Sequence, residues 1–222
     1  MEKARGRARA RVAALRAEYP REDRFGLGQR LVRSSANKAG MWGAATSTVA
    51  LITLPVGLPA GIAASLYCEA ELILALLHLY ELDAEGDEGR VRLYALWAGA
   101  GFADAAKSVG LRTGARALGK ILSESLPGQL IRRLNPVLLR AILKRLGLGW
   151  LPKAMKLWPI IGAPIGFVID RAALRTLGDA TLATLDDVAR AKTKAAPKAT
   201  TEERAARRRT RVVLKKVSSS GT

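Results

Sequence analysis

An all-α fold is what the sequence predicts, and three observations carry it. Leucine and alanine dominate the 49% of apolar residues, while aromatics make up only 5%; alanine and unbranched side chains lose the least entropy in a helix. Apolar residues recur at steps of three and four in several segments. No segment sustains the in-out alternation of a strand. At 222 residues the chain suits one compact multi-helix domain plus tails. We place that domain at residues 25–188, between a basic arm at 1–24 and a basic, disordered tail at 189–222.

Residues 2–19 read as a helix with Val12, Leu15 and Tyr19 along one side and arginines around the rest, ended by Pro20. "GLGQRLVRSSANKAG" is a short amphipathic lead into Met41–Cys68, 28 residues without a charge. That length suffices for a membrane span. Pro55 and Pro59, interleaved with Gly57 and Gly61, predict instead two shorter helices with a bend at "LPVGLPAG", because each proline removes a helix donor. Cys68–Leu82 is a leucine-rich helix, "DAEGDEG" an acidic turn, and residues 90–122 supply two further helical pieces. In 124–155, Leu130, Ile131, Leu134, Val137, Leu138, Ala141, Ile142 and Leu146 face away from Arg132, Arg133, Arg140, Lys144 and Arg145. This is a basic amphipathic helix, expected to break near Pro136. In "LWPIIGAPIGFVIDRAALRTLGDATLATL", Gly162 and Gly166 share one helix face and suit close packing, and Leu174, Leu177, Leu182 and Leu185 form a core stripe. After Arg190 the composition turns to Ala, Lys, Thr and Arg. There Thr200 and Glu203 have capping-box spacing for a short basic helix.

Charge sits at the ends. Of the net +18, residues 1–40 carry +7 and residues 190–222 carry +9, so the stretch between is nearly balanced. Such ends attract anionic lipid or nucleic acid. The candidate polyanion-binding residues are Arg5, Arg7, Arg9, Arg11, Arg207, Arg208, Arg209, Arg211, Lys215 and Lys216. Apart from Tyr19 and Phe25 these ends lack rings on which bases could stack, so non-specific nucleic-acid binding through the tails is the extent of that expectation.

Motifs for chemistry are sparse. Cys68 and His78 are the only cysteine and histidine, too few for a zinc site, and no motif marks them as a nucleophile and base. "GAGFAD" lacks the third glycine and the preceding strand of a dinucleotide loop. The acids Glu69/Glu71 and Asp186/Asp187 carry no mark of an acid–base couple. We expect no cofactor, no metal and no catalytic residue. The start shows no secretory signal, which predicts a cytoplasmic location.

Membrane association accounts for more of the sequence. Trp42, Trp97, Trp150 and Trp158 sit at the edges of apolar runs, where amphipathic rings occupy the headgroup level. Candidate membrane-contact residues are Trp42, Leu51, Ile52, Leu54, Trp158, Ile160, Ile161 and Phe167. The 13 residues from Leu157 to Ile169 are too few to span a bilayer, so a peripheral or re-entrant contact is expected.

The order of "LPVGLPAG", "LLHLYELD", "LYALWAGAG" and "WPIIGAPIGFVIDRAALRTLGDAT" resembles the EcsC family. Leu54–Gly57, Leu79–Tyr80, Pro159, Gly162, Ala163, Gly166, Arg175 and Gly178 carry the likeness, across residues 37–185. Glu81 stands where the family has glycine, and Asp170 where asparagine is common. The resemblance implies a bacterial, membrane-linked helical protein associated with an ABC transporter or other protein partner, and it brings no catalytic residue. The function expected from the sequence is therefore a non-enzymatic membrane-associated accessory protein linked to transport or secretion. A helical scaffold or nucleic-acid-associated protein acting through its basic tails is the alternative.

Overall fold

The computed structural model describes residues 2–50, 54–82, 84–99, 102–108, 110, 115–145 and 162–195. Every regular element among them is a helix: α1 (Glu2–Glu18), α2 (Arg24–Ala50), α3 (Leu54–Leu79), α4 (Gly86–Ala98), α5 (Phe102–Ser108), α6 (Ala115–Ser123), α7 (Gly128–Arg145) and α8 (Gly162–Ala195). The fold is all-α. The chain divides into two units, Met1–Val188 and Ala189–Thr222. Of the second, the described residues 189–195 continue α8, with Thr193 donating to the Ala189 carbonyl at 3.0 Å.

The centre of the first unit is α3. Leu72, Ile73, Leu74, Ala75, Leu76 and Leu77 are all fully buried, so over these six residues the helix is apolar and covered on every side. Helices α1, α2 and α4 pack against α3. A second apolar cluster joins Val91, Ala95 and Ala98 of α4, Phe102 and Ala106 of α5, Ile121 of α6, and Ile131, Leu134, Leu138 and Ile142 of α7. Close approach of α8 to α2 and α3 depends on glycine. A Cβ on Gly178 would lie 2.8 Å from both Val32 methyls and 3.0 Å from Leu72 Cδ2, and one on Gly28 would run into Leu182.

Helix ends follow from local chemistry. Asp23 Oδ1 accepts the Gly26 amide at 2.8 Å and so caps α2. At the end of α3, Leu82 N–H reaches the Leu77 carbonyl at 3.0 Å and Glu81 N–H the His78 carbonyl at 3.1 Å, the paired bonds of a Schellman motif. That motif needs a left-handed residue, and Glu81 takes it with φ 57°. Its carboxylate is gripped by Arg24 at 2.7 Å and Arg16 at 3.6 Å. These pairs offset a conformation that costs a non-glycine residue about 1 kcal/mol.

Three sequence expectations are corrected. Residues 54–61 do not form a bend: α2 ends at Ala50, and "LPVGLPAG" forms the opening turns of α3. Pro55 lies in the first turn, whose N–H groups have no helical acceptor anyway. Helix α7 runs unbroken through Pro136. Pro136 and Arg132, whose carbonyl loses its helical partner, are both exposed, so that carbonyl is not left unpaired in an apolar interior. Residues 86–123 hold three helices, α4, α5 and α6, where two pieces were expected. The left-handed Gly99 (φ 53°) separates the first two.

Candidate membrane-contact site

Helices α2 and α8 meet where Gly40 faces Phe167. A Cβ on Gly40 would lie 2.9 Å from two carbons of the Phe167 ring and 3.1 Å from the Phe167 carbonyl oxygen. Next to this contact in the sequence lie exposed apolar residues, Met41 (68% exposed) and Trp42 (52%) on α2 and Val168 (61%) on α8. About one turn back along α2 the surface becomes polar. Arg171 Nε donates to Asn37 Oδ1 at 3.0 Å, and Lys38 is about half exposed. An apolar rim with long cationic side chains one turn below is the order that lets ammonium and guanidinium groups stay in water while the apolar tips leave it.

Beneath the rim the helices enclose a polar cluster. Glu71 of α3 is buried, and its Oε1 lies 3.6 Å from Lys38 Nζ and 3.7 Å from Arg11 Nη1. Arg11 Nη1 donates to Ser35 Oγ at 2.8 Å and its Nη2 to Ser34 Oγ. Glu71 Oε2 has no hydrogen-bond partner among the described residues. Burial lowers the Arg11 guanidinium, against an opposing pull from Glu71. Nearby, the buried Glu69 accepts the Trp97 indole N–H at 2.5 Å. Burial first, and Glu69 second, push the half-buried Asp170 carboxyl up. The sign then follows. A carboxyl raised in the folded state opposes folding once both states are ionised, so the penalty appears as pH rises through the unfolded value near 3.8. Asp170→Asn is therefore expected to raise the melting temperature at neutral pH, with the gain fading below that value; calorimetry across pH checks it.

The structure distributes the other sequence-predicted residues as follows. Trp42 is exposed at the rim and Phe167 is partly buried against Gly40. Leu54 is the first residue of α3, and Gly162 and Gly166 fall in the opening turns of α8. Leu51, Ile52, Trp158, Ile160 and Ile161 lie outside the described residues, as do Arg207, Arg208, Arg209, Arg211, Lys215 and Lys216. Arg7, Arg9, Arg11 and Arg16 of α1 are engaged by the fold, with Ala4, Ala8 and Val12 buried on the same helix. Arg7 stands over the Tyr67 ring at 5.9 Å, Arg9 pairs with Glu85, Arg11 enters the Glu71 cluster, and Arg5 Nε is buried without a partner. Met41, Val168 and the Glu71 cluster were not singled out by sequence. Glu71 looked like one acid among several, since its cationic neighbours lie 33 and 60 positions away.

Cys68 is buried and burial raises its thiol, which disfavours the reactive thiolate. His78 lies ten residues on in the same helix, roughly 15 Å along its axis. Among the described residues no group of three or more His, Cys, Asp or Glu is placed to hold a metal ion, and no helix is long and apolar enough to cross a membrane. No protein-family model, curated protein or solved structure matches the chain.

Proposed function

We propose that this chain is a non-enzymatic, membrane-associated accessory protein that sits on the cytoplasmic surface of a bilayer and serves a transport or secretion system. The observation that carries the reading is the exposed apolar rim of Met41, Trp42 and Val168, held at the Gly40–Phe167 contact with Lys38 and Arg171 one turn below. An exposed methionine, tryptophan and valine lose less by entering a headgroup layer than by facing water. The motif-level likeness to EcsC proteins adds support for the link to a transporter.

Flotation with neutral vesicles in high salt tests the rim alone, because electrostatic attraction is then screened. The wild-type chain is expected to float. The variant Met41→Gln/Trp42→Gln/Val168→Gln is expected to bind about 100-fold more weakly, roughly half a side-chain burial lost at each position. Equal flotation of the two proteins, or none by either, would count against the rim as a membrane contact.

A further inference from the structure

We propose that the exposed face of α7 is a second docking surface, built for the anionic headgroups of a phospholipid bilayer. The proposal rests on the membrane reading above but stands on different residues. On α7, Ile131, Leu134, Leu138 and Ile142 turn into the second apolar cluster. The opposite side presents Arg132, Arg133, Pro136, Leu139 and Arg140 to solvent. The three guanidinium groups are carried on about 12 Å of helix. The whole helix, "GQLIRRLNPVLLRAILKR", contains no carboxylate to repel a phosphate.

What sets these arginines apart is that three of them, all unused by the fold, share one exposed face of a single helix. On α1 and α2, Arg9 pairs with Glu85, Arg11 with Glu71, Arg16 and Arg24 with Glu81, and Arg30 with Glu22. Arg132, Arg133 and Arg140 make no ion pair or hydrogen bond with any described residue. Their full donor sets remain open, and a guanidinium fork matches phosphate oxygens two at a time. Leu139 decides the kind of polyanion. It is 44% exposed between the two arginine turns, where a bilayer offers it an apolar layer just below the headgroups. A nucleic acid offers none, and this face has no aromatic ring for a base to stack on.

The experiment uses the full chain and phosphatidylcholine vesicles with and without phosphatidylglycerol. Arg132→Gln/Arg133→Gln/Arg140→Gln is expected to bind the anionic vesicles on the order of 100-fold more weakly, with a shallower salt dependence. A charge-matched variant, Arg9→Gln/Arg16→Gln/Arg24→Gln, removes three paired arginines and is expected to lose less than about 5-fold. As a second readout, Leu139→Cys carrying a polarity-sensitive dye is expected to shift to the blue on anionic vesicles and to stay unmoved on duplex DNA. Equal losses from the two triple variants, no binding of anionic vesicles by the wild type, or a dye that responds only to DNA would overturn the proposal. The neutral, high-salt vesicles read the Met41/Trp42/Val168 rim separately, so either surface can fail while the other stands.

Discussion

An alanine at Gly89 is expected to cost about 3 kcal/mol, toward the upper end for overpacking, because the obstacle is main chain. Its Cβ would fall on the Ala84 carbonyl group, 2.5 Å from the oxygen and 2.8 Å from Cα. A flexible side chain could swing away from such a methyl; here the segment leading into α4 must move as a whole. That segment is also tied down, since Gly89 N–H donates to the Glu85 carbonyl at 2.8 Å. Gly119→Ala supplies the contrast. Its added methyl would meet only Val188 Cγ2 at 3.9 Å, and a helical glycine gains about 0.5–1 kcal/mol on replacement by alanine. Urea denaturation of the two variants should move the midpoint in opposite directions. A Gly89→Ala protein as stable as wild type would mean that the chain before α4 yields freely.

Arg92→Leu is the second large effect, a loss of about 3 kcal/mol. Arg92 lies in α4 and is 6% exposed. Its Nε donates to the Ile121 carbonyl at 3.3 Å and its Nη2 to the Glu124 carbonyl at 3.2 Å, while Nη2 also pairs with Glu88 at 3.3 Å. Glu88 in turn accepts the Leu126 amide at 3.1 Å through its other oxygen. One guanidinium and one carboxylate thus satisfy the main chain at the end of α6 and in the turn before α7. Leucine would leave two carbonyls without that donor and a largely covered carboxylate without its counter-charge, the costly way to break a buried pair. Removing both charges in Arg92→Leu/Glu88→Gln should cost less than the sum of the single changes, since the second mutation removes the stranded charge left by the first. Strict additivity in that cycle would show that the two groups do not act as a unit.

The arginine pairing bears on how the protein meets a polyanion. From composition, the N-terminal residues looked like a reservoir of free positive charge. In the fold, Arg9, Arg11, Arg16 and Arg24 neutralise acids of α3 and of the turn that follows it. Three exposed arginines of α7 share one face without an acidic partner, whereas α1 is a structural helix that seats Ala4, Ala8 and Val12.

The helical class, the apolar stripe of α8 through Leu174, Leu177, Leu182 and Leu185, and the two-sided character of α7 were all legible in the residue pattern. Each of these is periodic over a few turns, and the period belongs to the helix itself. Tertiary structure decided the rest. Whether Arg11 is a free cation or the partner of Glu71 depends on a residue 60 positions away, and no local pattern encodes that distance. Pro136 and Pro55 read as breaks, yet the first lies on the exposed side of its helix and the second in a first turn, where the missing donor costs little. Met41 and Val168 are apolar residues like many that are buried, and only the packing of the helices leaves them exposed. A side chain's partners and its exposure are set by which helices meet, and that is a property of the packed whole.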